Sequence, residues 1–445
     1  MGRKRQSARL TVALNGRIVG YLERGADGAT RFDYAADWLN WRYAIPVSRS
    51  MPLLDRPFTG APVRAVFENL LPDDDRIRTR LAARVDADGT DAFSLLAALG
   101  RDCVGALQFL PERVVPAPPS LPEGIPLSME EIGQRILALR TAPLGLRGGD
   151  DAFRISLAGA QDKTALLYHE GQWKEPIGVT PTTHILKPQI GKVLTADGEV
   201  DLSQSVQNEH FCMTLCRELG LDVARTDILN LGDDLSVLVV ERFDRFFDQA
   251  GRLLRLPQED MCQALGVAPI AKYQSDGGPG LVDCLELLKS SDSAQQDRQT
   301  FMKAQIAFWM IGATDGHAKN FSLSIRPQGR FSLAPLYDIF STQWQNDRRQ
   351  IKRNAFRLAM AVGRARRYKV IDIQPRHFEQ TATKAGFAVS ALHEVMEELI
   401  DLLPTAANTS AQKMDATVPE AMVASILTAA AERARGLEAY LADYQ

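Results

Sequence analysis

Thr314-Asp-Gly-His-Ala-Lys-Asn320 places the carboxylate of Asp315 five residues before the carboxamide of Asn320. A second carboxylate, Asp338, follows 18 residues after Asn320. A protein-kinase-type phosphotransfer site requires residues of these types in this order. The first aspartate can accept a hydroxyl proton, while the asparagine and the second aspartate are hard oxygen donors for Mg²⁺ on ATP phosphates. The stretch therefore predicts a phosphotransfer site around Asp315.

The residues on either side predict a helix before this stretch and a hairpin after it. Residues 301–313 are almost continuously apolar and long enough for a buried helix, which the turn dipeptide at 315–316 would end. Residues 321–325 alternate between apolar and polar, as a strand does. A turn at 326–330 and a second apolar run at 331–336 follow, so we expect an antiparallel hairpin.

Such a hairpin would bring the two metal-type ligands together. Asn320 enters it and Asp338 leaves it, and residues paired across strands lie only about 5 Å apart. Two oxygen donors would then converge on one ion. Asp and Asn are also common turn residues, so the same spacing fits two loop caps at the ends of a hairpin.

The composition is that of an ordinary soluble globular protein of two or three domains. The 445 residues have a net charge of −3, so the surface as a whole gives no polyanion-binding signal. The five cysteines form no CxxC pair, and we expect reduced core residues rather than zinc ligands. The sequence has neither a signal-peptide core nor an apolar span of transmembrane length, so we expect a cytoplasmic protein.

The chain divides by pattern into three folded parts and one connector. Residues 1–112 predict a small α+β subdomain that opens with a hairpin around the turn Asn15-Gly16. Residues 113–127 are rich in proline and form the expected connector. Residues 128–245 predict a sheet-rich lobe, whereas residues 246–445 predict a mainly helical lobe. The sequence thus indicates an α+β fold.

Local patterns within these parts predict individual elements. Ser128-Met-Glu-Glu131 is a capping box that should start a helix. Further helices are expected at residues 62–71, 91–99 and 205–219, and strands at residues 154–157, 164–168, 184–187 and 235–240.

A lysine ends one of the strands predicted in the sheet-rich lobe. From such a strand, Lys187 can reach ATP phosphates as a point charge. Glu209, on the helix predicted next, is a candidate partner that would hold Lys187 by an ion pair. A solvated lysine at a strand end is the alternative for Lys187 taken alone.

Two further segments have less specific patterns. Residues 157–163 contain small residues that allow backbone N–H groups to approach phosphate oxygens, and Lys163 adds positive charge. This loop has neither common glycine motif for phosphate, so it also fits a plain hairpin connection. Residues 241–245 lie where the lobes should join. Their backbone can contact an adenine edge with Phe243 nearby, or they form an ordinary charged strand exit.

Residues 348–376 contain ten Lys or Arg residues and one acid, Asp372. A basic face of this kind can contact DNA phosphates or an acidic partner. A solvated helix–loop face explains the same composition without any partner.

Five ordered stretches together resemble the HipA family, the serine/threonine-kinase toxins of HipBA toxin–antitoxin modules. They are RISLAGAQDKTA at 154–165, HILKP at 184–188, ERFDR at 241–245, TDGHAKNFS at 314–322 and LYDIFS at 336–341. Phe67-Glu-Asn-Leu-Leu-Pro-Asp73 is similar to the N-terminal module of that family, so the resemblance spans nearly the whole chain.

The resemblance implies a bilobal, protein-kinase-like fold with a sheet-rich N-lobe, a helical C-lobe and the extra N-terminal subdomain. It implies that Asp315 is the catalytic base, with Asn320 and Lys187 also catalytic, and that Asn320 and Asp338 hold Mg²⁺. Residues 158–163 would form the phosphate-side loop. The implied nucleotide site consists of Ala158, Gly159, Ala160, Gln161, Asp162, Lys163, Lys187, Glu241, Phe243, His317, Ala318, Lys319, Asn320, Tyr337 and Asp338.

Ser156 matches the serine that this family autophosphorylates, a modification that ejects the loop and inactivates the kinase. A phosphoserine adds nearly two negative charges beside a site built for ATP phosphates, so repulsion would disfavour the closed loop. One departure from the family pattern is Asp162, which stands where the family has a glutamate before the loop lysine.

The resemblance also implies partners. Family members phosphorylate an aminoacyl-tRNA synthetase, which blocks translation, and bind a small DNA-binding antitoxin that inhibits them and represses the operator with them. We therefore expect ATP and Mg²⁺, a HipB-like antitoxin, operator DNA through the antitoxin complex, and no membrane. Two other functions stay open: a catalytically weak regulatory scaffold that contacts DNA through residues 348–376, and a small-molecule kinase of related fold.

Overall fold

A computed structural model of the chain describes residues 7–139, 157–159, 161–195, 198–232 and 235–444. Its elements form an N-terminal sheet with helices, a second and larger sheet, and a C-terminal part with long helices. Within the described ranges, no helix is both long and apolar enough to cross a bilayer.

The N-terminal part is a five-stranded antiparallel sheet with four helices. The elements are β1 (Ala8–Leu14), β2 (Arg17–Arg24), β3 (Thr30–Tyr34), α1 (Ala36–Leu39), β4 (Phe58–Thr59), α2 (Ala61–Glu68), α3 (Asp75–Arg84), α4 (Ala92–Leu99) and β5 (Leu107–Pro111). The strand order is β4-β3-β2-β1-β5. Asn15 and Gly16, both with positive φ, turn β1 into β2, which confirms the predicted hairpin.

The second part is built around a six-stranded sheet. The elements are β6 (Gly124–Pro126), α5 (Met129–Ala138), β7 (Thr164–His169), β8 (Gln172–Pro176), β9 (His184–Pro188), β10 (Gly191–Thr195), β11 (Gly198–Leu202), α6 (Ser205–Glu218), β12 (Thr226–Asn230) and β13 (Ser236–Glu241). The strand order is β12-β13-β9-β7-β8-β6. The proline-rich connector thus supplies an edge strand, β6, where a missing N–H group is tolerated.

Most predicted elements of this part are present. Ser128 caps α5 in the predicted box with Glu131. The strands at 164–168, 184–187 and 235–240 and the helix at 205–219 are confirmed as β7, β9, β13 and α6. The strand predicted at 154–157 lies outside the described residues except for Leu157, which is in neither a helix nor a strand.

The C-terminal part combines helices with short strands. The elements are β14 (Arg245–Phe247), β15 (Leu253–Arg255), β16 (Gln258–Asp260), α7 (Met261–Ala264), α8 (Leu281–Leu287), α9 (Ala294–Ile311), β17 (Ser322–Ile325), β18 (Phe331–Leu333), α10 (Gln343–Asp347), β19 (Arg357–Val362), β20 (Arg367–Lys369), α11 (Pro375–Lys384), α12 (Val389–Gln412) and α13 (Glu420–Ala442). The predicted pairing of the runs after Asn320 is confirmed, and β16 adds a third strand to that hairpin.

The solvated helix–loop face offered as one explanation of the basic stretch at 348–376 is exposed, but its helical part is wrong. Its centre is the antiparallel hairpin of β19 and β20. The apolar run of β19 is too short for its periodicity to distinguish a buried strand from a helix. Except for Lys369, which is half-buried, the ten basic residues are exposed.

Helix α9 is the centre of the core beneath the candidate site. Every residue from 301 to 311 is buried, and α9 packs against α6, α12 and α13. Phe301 meets Phe321 edge-on with ring centroids 4.8 Å apart, which fixes the start of β17 relative to the helix. The residues between these two rings, which include Asp315, are therefore anchored at both ends.

A buried network of charges joins the N-terminal sheet to the exit of β13. Asp102, which follows α4, accepts from Arg245 Nη2 at 2.8 Å and from Arg255 Nε at 3.1 Å. Arg242 pairs with Asp244 at 2.8 Å in the same cluster. Burial opposes ionisation of Asp102, but Arg245, Arg255 and Arg242 hold its pKa well below the usual range.

Asp102→Asn should destabilise the protein strongly. The change leaves three buried guanidinium groups with one carboxylate, and removing one partner of a buried ion pair typically costs about 3–5 kcal/mol. Denaturant unfolding at pH 7 measures the loss. The matched control is Asp37→Asn on the exposed side of α1, which should change stability by less than about 0.5 kcal/mol. A loss no larger than that of the control would contradict a stabilising role for this network.

Candidate active site

The loop after α9 brings the Asp315 carboxylate to the surface. Gly312 ends α9 in the left-handed conformation, with φ at 69°. A Cβ at this position would lie 2.9 Å from the Phe356 ring, so the turn requires glycine. The Asn320 side chain folds back, and its Nδ2 donates to the Asp315 carbonyl oxygen at 2.9 Å. The Asp315 side chain remains about half exposed, where a substrate hydroxyl can reach it.

A tyrosine that no motif indicated contacts this carboxylate. The Tyr273 hydroxyl donates to Asp315 Oδ1 at 2.6 Å, and its ring packs edge-on against His317. Burial and then the charge of Asp315 raise the pKa of Tyr273 far above its usual value, so the hydroxyl keeps its proton. Sequence reasoning missed Tyr273 because it lies 42 residues before Asp315, in an irregular segment without periodicity.

Lys187 joins β9, α6 and the segment that follows β18. Its Nζ contacts Glu209 Oε1 and Asp338 Oδ1, each at 2.7 Å, which confirms the suggested ion pair with Glu209. Burial opposes ionisation of Asp338, yet Lys187 and Lys163 hold its pKa well below the usual range. Burial raises the pKa of Glu209, and Lys187 counteracts this effect. The single ammonium therefore stabilises two carboxylates.

Asp338 reaches Lys187 by a route that the sequence did not predict. Strand β18 ends at Leu333 instead of Leu336, because Pro335 has no N–H group to continue the ladder. Leu336 instead bonds backbone groups near Val223. Asp338 then adopts a left-handed conformation with φ at 60°, five residues after the strand, so it does not simply leave the hairpin beside Asn320.

The phosphate-side loop folds around the ammonium of Lys163. Lys163 Nζ donates to the carbonyl oxygen of Ala158 at 2.8 Å. Gly159 has φ at 104°, and a Cβ there would lie 2.5 Å from Lys163 Nζ, so the loop requires glycine. Burial and then the charge of Lys187 lower the pKa of Lys163 to about 8. The carboxylates of Asp338, Asp73 and Glu209 partly offset this lowering, and a bound anion would favour the charged ammonium further.

The other predicted residues of this loop face its flanks or lie outside the described part. Gln161 Nε2 donates to the carbonyl oxygen of Pro188 at 2.8 Å, which ties the loop to the end of β9. Asp162 Oδ1 lies 3.5 Å from Arg80 Nη2 on α3. Ala160 and the expected phosphorylation site Ser156 are outside the described residues.

Residues 241–245, which follow β13, present side chains to two different surroundings. Glu241 is exposed, and Phe243 packs against Tyr337 with ring centroids 5.9 Å apart. The Tyr337 hydroxyl donates to the Lys319 carbonyl oxygen at 3.0 Å, which connects this face to the Asp315 loop. Arg242 and Asp244, which alternate with Glu241 and Phe243 along the chain, belong to the buried network around Asp102. The segment therefore stabilises the fold, whether or not it also contacts a nucleotide.

The remaining predicted residues of the Asp315 loop are buried. Ala318 is fully covered, and burial lowers the pKa of His317. Among the described residues, His317 Nδ1 has no hydrogen-bond partner. Lys319 Nζ is directed toward Asn69 and Asp260, at 2.7 Å from the Asn69 carbonyl oxygen and 3.1 Å from Asp260 Oδ2. Its contacts are thus with the N-terminal part and with β16.

The side chains of the candidate site fit a metal ion that is bound together with phosphates better than a metal ion held by protein ligands alone. Within the described residues, no group of three or more His, Cys, Asp or Glu side chains could hold a metal ion. Asp338 and Asn320 offer hard oxygen donors, and Mg²⁺ is commonly held by such side chains together with phosphate oxygens and water. Lys163 and Lys187 supply the positive charge that a polyphosphate requires.

Two protein-family models together match most of the chain. A family model described as the HipA N-terminal domain matches residues 10–110, and one described as the HipA-like C-terminal domain matches residues 155–407. Y4mE of Sinorhizobium fredii, which is named as a kinase, is 36% identical to this chain. The alignment covers 88% of this chain and 89% of Y4mE. The serine/threonine-protein kinase toxin HipA of Shewanella oneidensis is 29% identical and covers 79% of this chain and 78% of its own.

A solved structure has the same fold. HipA of Shewanella oneidensis, in a complex with HipB and operator DNA, aligns with a TM-score of 0.77 and 24% identity over 96% of both chains. The predicted α+β, bilobal and kinase-like fold is therefore confirmed.

Lys187→Met should destabilise the folded chain most at neutral pH. The change leaves Glu209 and Asp338 without their cation, and removing one partner of a buried ion pair costs about 3–5 kcal/mol. Because the folded-state pKa of Asp338 is depressed, its contribution is present above the unfolded-state pKa of about 3.9 and is lost as the pH falls below that value. The difference between wild type and variant should therefore shrink on acidification.

Unfolding by denaturant at several pH values measures this difference. The control is Lys192→Met, which removes the exposed ion pair with Glu199 and should cost no more than about 1 kcal/mol at any pH. A Lys187→Met penalty that is small, or that does not change with pH, would show that the three side chains are not coupled.

Proposed function

This chain belongs to the HipA family, and we propose that it is an ATP- and Mg²⁺-dependent serine/threonine protein kinase, the toxin of a toxin–antitoxin module. The observation that carries the proposal is the placement of Lys187 Nζ at 2.7 Å from both Glu209 and Asp338. Protein kinases require such a lysine–glutamate pair, together with a metal-binding aspartate, for phosphoryl transfer. The exposed Asp315 carboxylate supplies the remaining group.

In this proposal each side chain has a defined task. Lys163 and Lys187 bind phosphate oxygens, while Asn320 and Asp338 hold Mg²⁺. The bound Mg²⁺ supplies positive charge that neutralises the transferring phosphoryl group. Asp315 orients the substrate hydroxyl and accepts its proton. The hydrogen bond from the Asn320 side-chain amide to the Asp315 carbonyl oxygen keeps both residues in one loop, as precise positioning of the reacting groups requires.

We extend the proposal to the nucleotide and to the domains. Glu241 and Phe243 contact the adenine, with His317 and Tyr337 nearby, and residues 158–163 cover the phosphates.

The division into 1–112, 113–127, 128–245 and 246–445 remains our proposal for the N-terminal subdomain, connector, N-lobe and C-lobe. The match of the HipA N-terminal domain model to residues 10–110 supports the first boundary, whereas the model that matches 155–407 spans both proposed lobes.

We also propose that the kinase inactivates itself by phosphorylating Ser156. This proposal rests on the match of Ser156 to the serine that the HipA family autophosphorylates, and on its place in the sequence shortly before Lys163. A phosphate on this residue would compete for the positive charge that the nucleotide uses, which disfavours the closed loop.

The partners that we propose for this chain are those expected of a HipA family member. The Shewanella oneidensis relative is solved with HipB and operator DNA. We propose a HipB-like antitoxin for this chain, operator DNA bound through that complex, an aminoacyl-tRNA synthetase as the phosphorylated protein, and a cytoplasmic location.

A direct contact of the β19–β20 hairpin with DNA is a second candidate function. Nine of the ten Lys and Arg residues at 348–376 are exposed, and Asp372 is the one acid. Such a surface can neutralise DNA phosphates without reading sequence. It would add to the kinase activity and not replace it.

Asp315→Ala should abolish most phosphoryl transfer while the chain stays folded. Loss of a catalytic base lowers rates by about 10²–10⁴, and a half-exposed loop carboxylate contributes no core volume. Transfer of label from γ-labelled ATP to the chain, with mass spectrometry of Ser156, measures the effect. EDTA should stop transfer by the wild type. Asp276→Ala, an exposed aspartate near Tyr273, is the control. Undiminished labelling by Asp315→Ala would remove the assignment.

Replacing Arg364, Arg366 and Arg367 with glutamine should reduce the salt dependence of operator binding by the antitoxin complex. Each lost phosphate contact lowers the slope of log K against log salt by about 0.9. The triple lysine variant keeps the charge and should keep the slope. An unchanged slope in the glutamine variant would exclude DNA contact by this hairpin.

A further inference from the structure

A short segment of the N-terminal subdomain, residues 69–73, reaches into the candidate active site. Asp73 N donates to the Gly159 carbonyl oxygen at 3.3 Å, and Pro72 forms a parallel bridge with Gly159. The segment therefore contacts the phosphate-side loop directly. Asn69 Nδ2 also donates to the Val267 carbonyl oxygen at 3.0 Å, which anchors the segment beside α7.

The same segment holds the loop that contains Asp315. Lys319 Nζ is buried and contacts both the carbonyl oxygen and the side-chain oxygen of Asn69, at 2.7 Å and 2.9 Å. Asp73 Oδ1 lies 3.9 Å from the same ammonium. Lys319 lies one residue before Asn320, so its position affects the candidate metal ligand directly.

Asp73 also holds the segment that contains Tyr273. Its Oδ2 accepts from Lys272 Nζ at 2.9 Å, and Tyr273 in turn donates to Asp315. On the other side, Gln274 Oε1 accepts from the Ala361 backbone of β19, so this segment is braced at two points. Asp73 can therefore affect Asp315 through Lys272 and Tyr273.

The Asp73 carboxylate is nearly buried beside two ammonium groups, those of Lys272 and Lys319. Its side chain is 11% exposed. Burial opposes the charged form, but Lys319 and then Lys272 hold the pKa of Asp73 below its usual value. Lys319 has a second anion in Asp260, whereas Asp73 is the only carboxylate that contacts Lys272 within the described residues.

We propose that Asp73 is a positioning residue of the kinase site, through which the N-terminal subdomain holds the Lys272–Tyr273 segment and the Lys319 loop against Asp315. This inference rests on the proposed kinase function. It gives the N-terminal subdomain a part in phosphoryl transfer, in addition to its own fold. A purely structural ion pair is the competing explanation, and it predicts loss of stability without a specific loss of rate.

Asp73→Asn tests the proposal because it keeps the size and the backbone contacts of the residue and removes only its charge. The rate of label transfer from ATP to the chain itself, measured against ATP concentration, gives a maximal rate and a half-saturating concentration. A small misplacement of a catalytic group can cost about a hundredfold in rate. We expect the maximal rate to fall by about tenfold to a hundredfold, while the half-saturating ATP concentration changes by less than about threefold, because Lys163 and Lys187 are retained.

Two comparisons separate positioning from general damage. Asp37→Asn, the same change on an exposed residue of α1, should keep the wild-type rate. Lys272→Met should lower the maximal rate as well, and the double variant with Asp73→Asn should be no slower than the slower single variant, because both changes break one path. A wild-type rate for Asp73→Asn, or costs that multiply in the double variant, would overturn the proposal.

A second readout keeps this test separate from the kinase assignment. Hydrogen exchange of the backbone in peptides covering residues 269–276 and 313–323 should increase in Asp73→Asn and not in Asp37→Asn. If the wild type transfers no label but exchange rises in both segments of Asp73→Asn, the proposed function fails and the coupling stands. If the wild type transfers label and neither rate nor exchange responds to Asp73→Asn, the coupling fails and the proposed function stands.

Discussion

The structure depends on one buried ammonium group. Lys187 on β9 meets Glu209 on α6 and Asp338 after β18, so a single cation fixes a strand, a helix and a turn of the C-terminal part relative to one another. An isolated charge at this depth would be costly, and two carboxylates without their cation would be costlier still. The arrangement therefore permits little variation in geometry. The same balance of charges leaves a site that suits polyphosphate and a divalent cation.

The N-terminal part is tied to this centre at two places. Asp102 meets Arg245 and Arg255 near the exit of β13, and residues 69–73 meet the Asp315 loop and the phosphate-side loop. Polar contacts of this kind constrain direction as well as distance, because a hydrogen bond weakens steeply as its donor–hydrogen–acceptor angle falls. The N-terminal subdomain is therefore part of the frame of the candidate site.

Local sequence patterns were sufficient to predict much of the fold. The turn at Asn15-Gly16, the box that starts at Ser128 and the pairing of β17 with β18 each depend on neighbouring residues, which is the information that a single sequence contains. The Lys187–Glu209 pair was also within reach, since both lie on strongly patterned elements. The basic hairpin at 357–369 was not, because its apolar run is short and its charges obscure the strand period.

The rest of the site depends on contacts between distant segments. Tyr273 and the direction of the Lys319 side chain have no local signature, and the route of Asp338 depends on a proline and a positive φ. Asp73 ends the stretch 67–73 noted in the sequence, but that stretch does not indicate its contacts with Lys272 and Lys319. Tertiary packing decides such features, and one sequence does not encode them in any pattern of spacing.

The most direct measurement is a crystal structure of the chain with Mn²⁺ and a non-hydrolysable ATP analogue, with the metal located by its anomalous signal. The account predicts the phosphates at the Lys163 and Lys187 ammonium groups and the metal on oxygens of Asn320 and Asp338. A nucleotide bound elsewhere, or a metal ion that contacts neither residue, would contradict it.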